Sequence, residues 1–120
     1  MMQTAQDIWR ELIRLSTEID KALDEVRARC VEAASLDVEH KQAAATAYLS
    51  ADGSTVRERE AQATLAVGHL ALRAKVAAAL EKSATEALRS RRQQISAIQS
   101  MLAAQRAEAE FSRTGPQFTP

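Results

Sequence analysis

Leu88-Arg89-Ser90-Arg91-Arg92-Gln93-Gln94-Ile95-Ser96-Ala97-Ile98-Gln99-Ser100-Met101-Leu102 lies inside a run from Thr55 to about Glu110 that no proline interrupts and that holds one glycine, Gly68. The run reads as a single long helix, on the order of 80 Å at 1.5 Å rise per residue. A helix of that length cannot bury itself. It needs another helix, from its own chain or from a second copy.

Composition narrows the architecture. The chain has 120 residues, only 3% of them aromatic, too few large side chains for a thick globular core. Alanine dominates the apolar residues and favours close helix–helix contact. Two prolines and three glycines argue against a β-rich fold with many turns. Formal net charge is zero, so overall basicity gives no argument for nucleic acid. Charge is uneven, however. Met1 to Ser54 carries six Lys+Arg against ten Asp+Glu, and Thr55 to Pro120 carries ten against six. The two halves can pair within a chain or between copies, or simply present solvated faces.

Cys30 is the lone cysteine and supports no intramolecular disulfide. With no signal-peptide pattern at the start, the expectation is a packed thiol in a cytoplasmic protein. No apolar run approaches the roughly 18 residues of a membrane span, so none is expected.

At the start of the chain, Thr4 is an N-cap candidate with Asp7 three residues on. Ile8, Leu12, Leu15, Ile19, Ala22 and Val26 then recur at spacings of four and three, a heptad seam. This helix is expected over about 5–34, with Trp9 beside the seam as a packing anchor. A weak break near Ser35-Leu36-Asp37 separates it from a second helix over 37–49, where Tyr48 packs. Ser50-Ala51-Asp52-Gly53-Ser54 then marks a reversal, with Gly53 suited to positive φ. Thr55 with Glu58 fits a capping box, so the long helix starts at Val56 and runs to about 110. Its expected seam is Leu65, Leu72, Val76, Leu80, Ala84, Leu88, Ile95, Ile98 and Leu102. Gly115-Pro116 ends the helix and leaves a tail over 112–120, read as a frayed terminus. The alternative for that tail is a docking peptide.

No catalytic constellation is present. The chain has no Gly-rich phosphate loop, HExxH or CxxC, and no nucleophile–base pairing supported by spacing. His40, His69 and Cys30 form no metal-ligand spacing, so no enzyme, metal or cofactor is expected. The informative polar cluster is Lys82, Arg89, Arg91 and Arg92. Arg89 and Arg92 share a face, with Lys82 one heptad before Arg89, a stripe suited to a phosphate backbone. Arg91 falls on the seam and needs a carboxylate partner or a groove to face. Arg57 and Arg59 form a second basic spot near the turn. Pairing of these cations with the acidic first half is the competing reading. Scarce aromatics favour backbone contact over base reading.

Glu86-Ala87-Leu88-Arg89-Ser90-Arg91, followed by Ile95, Ile98-Gln99 and Met101, resembles the C-terminal helix of phage recombination mediators of the UvsY type. The resemblance covers about the last third of the chain. It implies a small helical protein that self-assembles, binds single-stranded DNA and helps a recombinase replace single-strand binding protein. On that resemblance Arg89, Arg91 and Arg92 contact DNA, and Leu88, Ile95, Ile98 and Leu102 form the oligomer interface. The location implied is cytoplasmic, the host cytoplasm if the chain is phage-encoded. The sequence departs from the pattern in its neutral charge and proline-bearing tail.

The expected architecture is thus all-α: a helical hairpin or coiled coil of two or three helices with a very long C-terminal helix, one domain over 1–111, self-associating. Two functions compete. The leading one is a non-enzymatic recombination mediator that binds single-stranded DNA to help load a recombinase. The other is a helical scaffold or adaptor acting only through coiled-coil contacts. A secreted helical hairpin of the type VII substrate kind is disfavoured, because the turn lacks that family's Trp-x-Gly.

Overall fold

The computed structural model describes residues 4–114, which form three helices: α1 Ala5–Leu49, α2 Val56–Ala66 and α3 Gly68–Thr114. No strand occurs among the described residues. The chain is an all-α hairpin with a very long C-terminal helix, measuring 98 × 27 × 21 Å. Its radius of gyration is 26.7 Å. A compact domain of this length would have about 14 Å.

Thr4 and Asp7 open α1 with a reciprocal capping box. The Asp7 amide donates to Thr4 Oγ1 at 3.1 Å, and the Thr4 amide donates to the Asp7 carboxylate at 3.3 Å. From there α1 runs 45 residues without interruption, so the expected break near Ser35 does not exist. The reason is packing. The four–three spacing that starts at Ile8 and Leu12 continues to Ala43 and Ala47, and every position on it is buried or half-buried. Ala33 and Leu36 flank the expected break and belong to this seam. Ser35 stays exposed, and Asp37 pairs with Lys41 at 2.9 Å, four residues on.

The long second arm is two helices, with a bend of 65° at Val67 between α2 and α3. Val67 leaves helical geometry at φ −111°, ψ 17° while its side chain is buried. Gly68, a weak helix former, follows directly. At the far end, α3 extends to Thr114, past the expected stop near 110. Residues 115–120, most of the expected tail, lie outside the described residues.

α3 lies antiparallel along α1. Ala77 and Ala74 pack on Ala33 and Leu36 near the turn, and Arg91 reaches Glu18 farther along. Alanine against alanine lets the two backbones approach closely. The α3 seam starts at Val67, Leu70, Ala74 and Ala77, and continues through Ala84, Leu88, Arg91, Ile95 and Ile98 to Leu102. All of these are buried or half-buried. The distal half matches expectation, but the proximal half does not: Leu65 is 84% exposed and Leu72 is 64% exposed. Spacing explains the error. Leu72, Val76, Leu80, Ala84 and Leu88 are each four apart, and four residues overshoot a full turn by about 40°. Repeated four times, the drift carries Leu72 to the side away from Leu88.

The turn also differs in detail. No described glycine has positive φ. Gly53 is required for space instead, since a Cβ there would stand 2.8 Å from Glu58 Cβ and 3.0 Å from the Arg59 amide nitrogen. The Glu58 amide donates to Thr55 Oγ1 at 3.1 Å as expected. The Glu58 carboxylate, however, accepts from the Ser54 amide at 2.9 Å and the Ser54 hydroxyl at 3.1 Å, one residue before the cap. Those bonds, the Ser54 amide first, hold its carboxyl below the usual glutamate range.

The two glycines should respond in opposite senses. Gly53→Ala forces the turn apart and should cost about 1–3 kcal/mol. Gly68 has no atom within 4 Å of an added Cβ, so Gly68→Ala should gain up to about 1 kcal/mol. Thermal denaturation followed by far-UV circular dichroism checks both signs.

Candidate interaction faces

The helical cations divide into paired and free sets. On α1, Arg14, Arg27, Arg29 and Lys41 each meet carboxylates of their own helix three or four residues away. On α3, Arg91 pairs across to α1, with its Nε 3.1 Å from Glu18 Oε2. That oxygen accepts no hydrogen bond, so the N–H is not aimed at it and the contact is Coulombic. Glu18 Oε1 accepts from Arg14 Nη1 at 2.6 Å. Arg14 also bonds Glu11, which holds the Glu11 carboxyl below its usual range. Arg91 thus finds the carboxylate that its seam position requires.

Arg59 is also engaged. It donates to the Ala51 carbonyl through Nε at 3.4 Å and Nη2 at 3.3 Å, and its guanidinium sits 5.7 Å from the Tyr48 ring centre. It therefore closes the turn, while Arg57 stays exposed. Of the expected basic residues, Lys82, Arg89 and Arg92 remain exposed and have no ion pair among the described residues. Lys75, one heptad before Lys82, joins them. That repeat is visible in the sequence but was not part of the expected stripe.

Lys75, Lys82 and Arg89 occupy one side of the α1–α3 seam. Lys75 lines a groove with His40, Tyr48 and Ala71, and Lys82 and Arg89 line another with Ala78 and Thr85. Farther along, Trp9 and Ile13 flank a groove with Ile95 and Gln99. Trp9 is 62% exposed, so it is not the packing anchor expected. Cys30 is exposed as well, not packed.

The other side is acidic. Glu11, Glu18, Glu25, Glu32 and Glu39 recur at every seventh residue of α1, a row that the sequence displays and the expected site omitted. Glu32 lines a groove there with Leu36, Leu72, Val76 and Leu80. Leu72, Val76 and Leu80 are 64, 50 and 39% exposed, and on α1 Val31 and Val38 are more than half exposed. These apolar side chains are only partly covered by the described residues.

Leu88, Ile95, Ile98 and Leu102, the expected oligomer interface, lie in the hairpin's own seam against α1, with Leu88 buried and the others half-buried. Among the described residues no polar or charged side chain is fully buried, and no three His, Cys, Asp or Glu residues are placed to hold a metal ion. The grooves are open and shallow. Among the described residues no single helix is long and apolar enough to cross a membrane. The arrangement offers faces for binding.

Because Arg91 occupies an apolar seam position, Arg91→Leu should leave thermal stability equal or higher. Arg91→Glu opposes Glu18 and should destabilise by about 1–2 kcal/mol. Paired melting curves distinguish the two.

Compared with family models, curated proteins and solved structures, the chain matches none.

Proposed function

We propose that this chain is a non-enzymatic helical assembly protein, a scaffold or adaptor that acts through helix–helix contacts along its length. One observation carries the reading: the row Leu72, Val76 and Leu80 on α3 lies beside the seam, along a groove with Glu32 and Leu36 of α1, and stays 64, 50 and 39% exposed. Contiguous exposed apolar side chains on a helix are the usual mark of a contact face. A photo-crosslinking residue placed at Leu72 should give protein adducts in cells, whereas the same residue at Asp24 should give few. Absence of adducts from Leu72 would remove the support for this reading.

A second reading is the recombination mediator that binds single-stranded DNA, with a recombinase and single-strand binding protein as partners. The free cations Lys75, Lys82, Arg89 and Arg92 on one edge favour it, together with exposed Trp9 on the same side. Three or four phosphate contacts would make binding fall with salt at a logarithmic slope of about −2 to −3. A mobility-shift assay with a long oligonucleotide at low salt tests this. No shift would rule the reading out.

A further inference from the structure

We propose that the acidic edge of α1 in one copy docks on the basic edge of α3 in a second copy, building a head-to-tail assembly of hairpins. The inference rests on the assembly reading above and names the partner as this same chain.

Three observations carry it. The first is spacing. Glu11, Glu18, Glu25, Glu32 and Glu39 repeat by sevens, and Lys75, Lys82 and Arg89 repeat by sevens too, with Arg92 beside them. Two rows with the same period along straight helices can meet at several successive turns in one register. The acidic row spans about 42 Å and the basic row about 26 Å at helical rise, so every cation can find a glutamate.

The second is incomplete neutralisation. Arg14 and Arg29 offset part of the acidic row, and Arg91 touches Glu18. Among the described residues Glu39 has no ion pair, and none of the four cations has one. Glu86 lines the same groove as Lys82 and Arg89, yet pairs with neither. The floor of the basic edge contains Ala71 and Ala78, which let an incoming helix lie close.

The third is surface. The chain exposes 9392 Å². A globular monomer of this mass would expose roughly 6,400 Å². The two edges lie on opposite sides of the seam, so one copy cannot pair them internally. A contact between unlike edges is heterologous, and each copy keeps one acidic and one basic edge for its neighbours.

Sedimentation equilibrium of the full chain tests this. Wild type should associate at low salt and dissociate near about 1 M salt, where the screening length is about 3 Å. Glu32→Lys with Glu39→Lys should weaken association at least about tenfold, as should Lys82→Glu with Arg89→Glu. An equimolar mixture of the two variants should restore it, because each reversed edge then meets its complement. Circular dichroism should show both variants still helical, since none of these positions is in the seam. A wild type that is monomeric at every salt concentration overturns the proposal, as does a mixture that fails to restore association. If Leu72→Asp with Val76→Asp blocks association and the charge reversals do not, the proposal falls and the assembly reading stands. Monomers that still give Leu72 adducts with other proteins separate the two in the same way. If Lys82→Glu with Arg89→Glu abolishes an oligonucleotide shift and leaves self-association intact, the basic edge serves a strand and the proposal is overturned.

Discussion

The antiparallel contact between α1 and α3 is what the rest of the molecule depends on. It is thin: one helix against one helix, with Ala33, Leu36, Ala74 and Ala77 packed together in it. Small side chains bring the backbones together, but each contributes little apolar area. Leucines at the alanine positions would bury more and hold the helices farther apart. Having used alanine for the inner side, α3 carries its proximal leucines outward, and a hairpin two helices thick has no third layer to receive them. The exposed apolar row and the elongated shape thus share one cause.

Legibility in the sequence followed the regularity of spacing. In α1 the four–three alternation from Ile8 to Val26 is unambiguous, and it correctly marks the buried face. The imagined break at Ser35 came from local propensity, which a seam containing Ala33 and Leu36 overrides. In α3 the large residues Leu72, Val76 and Leu80 drew the seam toward themselves, whereas the structure selects smaller neighbours at heptad positions. The bend at Val67 resets the register. One glycine after a valine is too weak a signal to reveal it.

The polar residues divide along similar lines. Arg91 was readable, because a cation on an apolar seam must meet a carboxylate, and it meets Glu18. Arg59 was not, since nothing in the sequence shows that the Ala51 carbonyl and the Tyr48 ring, eight and eleven residues earlier, fold back within its reach. Its positive charge belongs to the turn. The glutamate row is a strict repeat in the sequence, but regularly spaced carboxylates on a helix equally fit a solvated face. Spacing along one helix does not show that Lys75, Lys82 and Arg89 lie across the seam from that row; only the packed hairpin places the two edges on opposite sides.

Side-chain size is graded along the hairpin. Near the turn the inner residues are mainly alanines, while at the opposite end Ile8 and Leu15 are only 2% and 1% exposed. Closing a short loop costs little entropy, so weak contacts suffice beside the turn, and each further step of zippering begins from ends already held close. The free ends have no such help from the chain. Large residues there act as a latch, and a latch is also a gate: if it opens, the two arms part like a zipper from the tips. Parting the arms there uncovers Ile8 and Leu15 first, so the two best-buried side chains stand where the chain itself gives the least help.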